Sequence, residues 1–145
     1  MTDSANDCVF CRIIEGKLPA RIVYEDDLTT AFMDTNPASP IHILIVPKRH
    51  IPTLNDLTEE DTLLCRLGQV AKKLATDLGV AESGYRFFIN VNRGGGQRVF
   101  HLHAHVVAGN DLGTFFIKAA VGAAIVWRKL VSLVKRGERS EPGKS

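Results

Sequence analysis

The sequence contains few cysteines and carries little net charge. Three cysteines in 145 residues are an odd number, which argues against a disulfide framework and favours a reducing compartment, for which we expect the cytoplasm. A formal net charge of +2 gives no electrostatic reason to expect a nucleic acid as partner. The chain also lacks both an apolar run of the roughly 18–20 residues that a spanning helix needs and the charged, apolar leader of a secretory signal.

Length and composition are those of one folded domain. Hydrophobic residues make up 45% of the chain and charged residues 23%, values typical of a globular protein rather than a disordered one. The length is sufficient for a sizeable core. No segment of about 20–50 residues recurs, which excludes a repeat architecture.

Three of the five histidines stand at every second position near residue 100. His101, His103 and His105 alternate with apolar residues, a pattern typical of a half-buried strand. Side chains with this spacing lie on one face of a strand, about 6–7 Å apart, and the residues between them point into a core. Those apolar residues are Phe100, Leu102, Ala104 and Val106. A solvated strand face is the plain alternative, but the regularity of the row favours chemistry.

Two kinds of chemistry suit a row of imidazoles. Imidazole is a common metal ligand, and it also acts as a nucleophile in phosphoryl or nucleotidyl transfer while its neighbours hydrogen-bond the phosphate. The glycine-rich loop 92–98 favours the second, because glycines let backbone N–H groups approach an anion. Gln97 and Arg98 add side-chain donors. A flexible hairpin loop is the structural alternative.

Cys8 and Cys11 form a second group of chemistry-bearing residues. Phe10, Ile13 and Ile14 follow at helical spacing, so we predict a short N-terminal helix here. The pair can be redox-active, although a thioredoxin-like context is missing. It can also supply half of a zinc site, which needs two more ligands, or consist of free thiols that pack as small hydrophobes.

Short strands joined by short links predict an α+β fold. We predict strands at 22–24, 29–33, 41–46, 85–91 and 99–107, the first two joined as a hairpin. Thr58 and the acidic residues after it predict the start of a helix over 58–78 with an apolar stripe. We therefore expect an antiparallel sheet of about five strands, one long helix and the short N-terminal helix. His42, in the third strand, is interpreted as a structural histidine.

Motifs across residues 7–109 resemble one known family. HLHAHVV at 101–107 resembles the signature of the histidine triad (HIT) family, in which three histidines alternate with apolar residues. Other segments agree in order and spacing with its Hint branch: CVFCRII (8–14), LPA (18–20), YEDD (24–27), AFMD (31–34), VPKRH (46–50) and GGQ (95–97). The resemblance implies a HIT-like fold and a homodimer whose sheet continues across the interface. We take residues 1–111 as the HIT domain.

The resemblance also implies an activity. It predicts a nucleoside phosphoramidate hydrolase, similar to adenosine 5′-monophosphoramidases, that acts on an AMP-like purine nucleotide and needs no organic cofactor. His103 is expected to attack phosphorus and form a nucleotidyl-histidine intermediate, while the backbone carbonyl of His101 holds its Nδ1–H and His105 contacts the phosphate. A dinucleoside polyphosphate hydrolase and a non-catalytic nucleotide-binding interaction protein are the alternatives. A zinc-dependent nucleic-acid module is a third, weaker one, because the basic residues are spread out.

Three sets of site residues follow from the same resemblance. The catalytic set is His50, His101, His103 and His105. The nucleotide-binding set is Phe10, Asp34, Asn90, Gly96, Gln97, Arg98, His103 and His105. The structural zinc set is Cys8, Cys11, His50 and His101. Asp34 is expected to accept hydrogen bonds from the ribose hydroxyls, a turn aspartate being the alternative, and Arg98 stands where Hint relatives usually have a serine.

The C-terminal segment departs from the resemblance. Residues 112–136 are apolar with interspersed basic residues, and we predict a helical extension there, followed by a polar, disordered tail at 137–145. The apolar surface of this extension must pack on the domain, on a partner subunit or on a membrane surface, and we favour protein over membrane. Every candidate site residue precedes Gly109, so we expect the extension to be dispensable for chemistry.

Overall fold

The computed structural model describes residues 7–109, and they form the α+β domain that the sequence predicts. The helices are α1 (Val9–Ile14) and α2 (Leu63–Asp77), and the strands are β1 (Ile22–Glu25), β2 (Thr29–Met33), β3 (Ile41–Pro47), β4 (Arg86–Ile89) and β5 (Ala104–Ala108). Two short 3₁₀ turns, Leu54–Asp56 and Arg93–Gly95, lie in the connections. The predicted extension 112–136 and tail 137–145 lie outside the described residues. Within residues 7–109, no helix is long and apolar enough to cross a membrane.

The five strands form one antiparallel sheet in the order β1-β2-β3-β5-β4. Strand β3 lies at the centre, and its alternation divides the two faces. Ile43 and Ile45 pack on the side of α2, whereas Leu44 packs on the side of α1. His105 lies directly opposite Leu44 in the β3–β5 register, and His42 is two residues from Leu44. Both histidines therefore lie on the α1 face of the sheet.

Two hydrophobic clusters hold this arrangement. On one side, Leu67, Val70 and Leu74 of α2 are buried against the sheet. On the other, Phe10 of α1 meets Phe32 of β2 edge to face, with ring centroids 5.4 Å apart. Burying one such side chain contributes about 1.5–3 kcal/mol. The second cluster therefore fixes α1 against the face of the sheet that carries His42 and His105.

The long helix begins at Leu63, not at Thr58 as predicted. Residues 58–61 form a separate turn in which the Asp61 carboxylate accepts hydrogen bonds from the N–H and Oγ1 of Thr58 at 3.2 and 3.3 Å. Asp61 also pairs with Arg49. The carboxylate thus closes its own turn, and Thr62 stands at the N-cap position without a side-chain capping bond.

The histidine strand is shorter than predicted. Strand β5 starts at Ala104, so His101 and His103 precede the sheet rather than share its face with His105. The N–H of Leu102 donates to the carbonyl of Ile51 at 2.6 Å, which holds this segment to a loop instead of a strand. Leu102, Ala104 and Val106 are buried in the core as predicted, but Phe100 is only half-buried and outside it.

A candidate active site beside a cysteine and histidine cluster

A cavity of about 630 Å³ opens on the α1 face of the sheet. Its walls come from α1, the end of β2, the glycine-rich loop and the histidine segment. The lining residues that matter below are Phe10, Phe32, Asp34, Asn90, Gly96, Arg98, His103 and His105. The cavity therefore brings together seven of the eight residues that the resemblance assigns to nucleotide binding.

His103 is held in one tautomer by the backbone. Its Nδ1 lies 2.7 Å from the carbonyl oxygen of His101, and because a carbonyl only accepts, Nδ1 carries the hydrogen. Burial lowers the pKa of His103, although the bond to His101 partly raises it. The unprotonated Nε2 is therefore the reactive nitrogen of a neutral imidazole at neutral pH.

His105 belongs to a chain of hydrogen bonds that begins at a backbone amide. The N–H of Ala38 donates to Nδ1 of His42 at 3.0 Å, so His42 carries its hydrogen on Nε2. That Nε2 lies 2.9 Å from Nδ1 of His105, which leaves the hydrogen of His105 on Nε2. Burial lowers the pKa of His105 to about 4, with His103 and His42 as further causes. The Nε2–H of His105 is buried and has no partner within residues 7–109. A buried donor of this kind is suited to bind a ligand.

Asp34 forms a turn and also lines the cavity. Its Oδ1 accepts the N–H of Asn36 at 2.8 Å, as in an Asx turn. Its Oδ2 lies 3.4 Å from Nε2 of His42, and the residue lines the cavity. The turn therefore fixes the carboxylate while one oxygen stays close to the histidine pair.

Three backbone amides of the glycine-rich loop donate within the loop itself. The N–H groups of Gly95, Gly96 and Gln97 donate to carbonyls of Asn92 and Arg93 inside the loop. The side chain of Gln97 is also engaged: its Oε1 accepts the N–H of Asn92, and its Nε2 donates to the carbonyls of Pro52 and Val99.

Gln97 is 3% exposed and is absent from the described lining of the cavity. The side chain of Gln97 therefore holds the loop in place, and its predicted role in nucleotide binding stays a prediction. Tight loops satisfy their own amides when no other partner is near, which is why the donors turn inward here.

The four predicted zinc ligands lie together beneath the cavity. Sγ of Cys8 and Sγ of Cys11 are 3.4 and 3.5 Å from Nδ1 of His101, and Sγ of Cys11 is 3.3 Å from Nδ1 of His50. All four donor atoms lie within 4.8 Å of one another. A tetrahedral zinc with ordinary bond lengths separates sulfur from nitrogen ligands by about 3.6 Å, so the spacing is close to that of a metal site.

Hydrogen bonding also selects the right nitrogen for a metal. Nε2 of His101 lies 2.8 Å from the carbonyl oxygen of Pro47, so it carries the hydrogen and Nδ1 faces the sulfurs with its lone pair. Such an outer partner is typical of metal-ligating histidines. Burial, together with the neighbouring Cys8, raises the pKa of Cys11 to about 12. The residues present therefore fit a cation that would stabilise the thiolates.

Two predicted catalytic side chains do not reach the cavity. The rings of His50 and His101 face the cysteines, and neither is among the described lining residues. His101 contacts the site through its backbone carbonyl, which makes it a positioning residue. His42 was missed instead. It shares the α1 face of β3 with Leu44, but only the β3–β5 register brings it beside His105.

Comparisons with known proteins agree with this architecture. The family profile described as "HIT domain" matches residues 15–112. The purine nucleoside phosphoramidase of Escherichia coli (strain K12) is 48% identical over 110 residues, which are 75% of this chain and 92% of that protein. A HIT family hydrolase from Legionella pneumophila Philadelphia 1 superposes with a TM-score of 0.70 at 48% identity, covering 72% of this chain and 94% of that one. A Zn-bound histidine triad family protein from Mycobacterium smegmatis gives 0.67 at 32% identity, covering 74% and 78%.

Proposed function

The chain belongs to the HIT family, and on that premise we propose that it hydrolyses the phosphorus–nitrogen bond of purine nucleoside phosphoramidates. The observation that carries the proposal is the opposite tautomers of two adjacent imidazoles. His103 presents a bare Nε2 and His105 presents an Nε2–H, with their ring centroids 5.0 Å apart. A nucleophile and a donor for the phosphate thus stand side by side.

The reaction follows from this pair in two displacements. Nε2 of His103 attacks the α-phosphorus and forms a phosphorus–nitrogen bond, while the bond to the leaving amine breaks and the amine takes up a proton from solvent water. Water then attacks the same phosphorus, releases His103 and yields the nucleoside monophosphate. The Nε2–H of His105 and the amide of Asn90 hydrogen-bond the phosphoryl oxygens, where negative charge accumulates in both transition states. Phe10 and Phe32 supply apolar walls for the base, and Asp34 accepts from the ribose hydroxyls.

We also propose a structural zinc ion at the cluster of cysteines and histidines. Cys8, Cys11, His50 and His101 would hold it in a closed four-ligand site, and such an ion supplies folding free energy rather than a reactive water. The residue that links the two sites is His101, because its ring faces the cluster and its carbonyl orients His103.

The edge strand β4 supports a homodimer as the assembly. Phe87 and Phe88 of this strand are 38 and 39% exposed, and an exposed apolar edge favours pairing with another strand. We place the protein in the cytoplasm because none of Cys8, Cys11 and Cys65 forms a disulfide.

Steady-state kinetics on two substrates test the activity. We expect kcat/KM for adenosine 5′-monophosphoramidate to exceed that for diadenosine tetraphosphate by at least about a hundredfold, as befits a site adapted to one leaving group. Equal or reversed values would assign the chain to the polyphosphate-cleaving branch. Failure to hydrolyse either substrate would favour a non-catalytic nucleotide-binding protein.

His42 is predicted to act through His105, and two substitutions separate this role from packing. In His42→Gln the amide Nε2 can still donate to Nδ1 of His105, whereas His42→Leu offers no donor. Both variants lose the acceptor of the Ala38 N–H, so that cost to stability is common to them. We expect kcat to fall roughly tenfold or more in His42→Leu, to be partly restored in His42→Gln, and KM to change little. Equal kcat values for the two variants would contradict the prediction.

A further inference from the structure

Arg98 is placed at the cavity by neighbours that are themselves fixed. On one side, the side chain of Gln97 is buried and bonded to three backbone groups. On the other, Val99 packs against the cluster that contains Phe10. The backbone of Arg98 therefore has little freedom, while its side chain is exposed and lines the cavity. No hydrogen bond or ion pair engages the guanidinium within residues 7–109.

Few charged side chains line the cavity beside Arg98. Among the described lining residues, Arg98 is the one arginine or lysine and Asp34 the one acid. Nδ1 of His42 and Nδ1 of His105 each accept a hydrogen bond, and the amides of Gly95 and Gly96 donate to carbonyls inside the loop. The positive charge that an anionic ligand meets here thus comes from a single guanidinium.

The position of Arg98 along the cavity indicates which part of a substrate it meets. The side chains of Phe10 and Phe32 are 7 and 3% exposed and His103 is 6% exposed, whereas Arg98 is exposed. The leaving group departs on the side opposite the attacking Nε2 of His103 and must exit towards solvent. Arg98 is an exposed cationic side chain of the same cavity, within the part of the chain that the structure describes.

We propose that Arg98 selects phosphoramidates whose amine leaving group carries a carboxylate. The inference rests on the proposed function and names the substrate class of the same site. A guanidinium presents two parallel N–H donors that match the two oxygens of a carboxylate. The carboxylate stays unchanged in the reaction: the phosphorus–nitrogen bond breaks, and the amine leaves with its acid group still bound to Arg98.

Two substrates that differ in one charge test the proposal. They are the adenosine 5′-phosphoramidates of β-alanine and of β-alaninamide, which have nearly the same shape. We expect the wild-type protein to prefer the carboxylate, and the ratio of kcat/KM values, carboxylate over carboxamide, to fall about tenfold or more in Arg98→Gln. The fall should come mainly from KM. Arg98→Lys, which keeps the charge but not the two parallel N–H donors, should give an intermediate ratio.

Arg93→Gln is the matched control, because Arg93 belongs to the same loop but is not among the described lining residues. It removes one positive charge from the loop and should leave the ratio within about twofold of wild type. A ratio that is unchanged in Arg98→Gln, or lowered equally in Arg93→Gln, would overturn the proposal while both substrates are still hydrolysed. Hydrolysis of neither substrate would instead show that the proposed function itself is wrong, and the inference with it.

Discussion

Replacing His103 by alanine is expected to lower kcat for an adenosine phosphoramidate by roughly three or more powers of ten. His103 is the one imidazole of the cavity whose Nε2 is free of hydrogen, because the carbonyl of His101 holds its Nδ1–H within residues 7–109. Without this nitrogen, the first displacement has no nucleophile. Binding of AMP should change little, since the walls at Phe10 and Phe32 and the carboxylate of Asp34 remain.

A second variant separates chemistry from packing at this position. In His103→Asn, the amide can still donate to the carbonyl of His101, but no nitrogen stands where Nε2 did. We expect both variants to bind AMP and to be inactive. Intact-mass measurement after an alkaline quench should show a nucleotidyl adduct on the wild-type protein and none on the variants. Retention of more than about a tenth of kcat in either folded variant would refute the assignment.

Protein purified without chelator is expected to contain about one zinc ion per chain, bound by the cluster of Cys8, Cys11, His50 and His101. Chelation, or the substitution Cys11→Ser, should lower Tm by roughly 10 °C or more, since each 1 kcal/mol shifts Tm by about 4–8 °C in a domain of this size. The effect on kcat should be smaller than the effect on stability, because the cluster lies outside the described lining of the cavity.

Cys65→Ser provides the control for this experiment. Cys65 is an exposed thiol on α2 and is not part of the cluster, so its loss should change neither metal content nor Tm. Elemental analysis and thermal unfolding of the two serine variants separate a metal site from a general sensitivity to thiol loss. Less than about 0.1 zinc per chain in the wild-type protein would exclude the site.

The parts of the fold that were predictable are those governed by local patterns. The strands over 29–33 and 41–46 and the apolar stripe of α2 have a clear period, and the structure contains them close to the predicted bounds. Boundaries were less predictable, because they depend on distant partners. The carboxylate of Asp61 ends the turn before α2, and the carbonyl of Ile51 holds Leu102 out of the sheet.

Much of the candidate site could be predicted from the family resemblance, but the roles of two of its residues could not. His42 carries no local sign of function, because its partner His105 is 63 residues away and meets it only through the β3–β5 register. Gln97 looked like a donor to phosphate because its type and place suit that role. Its hydrogen bonds hold the loop in place, and one of them goes to the carbonyl of Pro52, 45 residues away. Long-range hydrogen bonds of this kind leave no trace in spacing or periodicity.

The departure of residues 101–103 from the sheet restricts how such a site could be transplanted into a designed protein. In a regular interior strand, backbone carbonyls accept hydrogen bonds from neighbouring strands. Here, by contrast, the carbonyl of His101 is available to fix the tautomer of His103. A designer who copied three alternating histidines onto an idealised strand would reproduce their spacing and lose that acceptor. A working graft would need a strand that joins its sheet only after the nucleophile. It would also need an outside carbonyl, as Ile51 provides for Leu102, to satisfy the amide left behind.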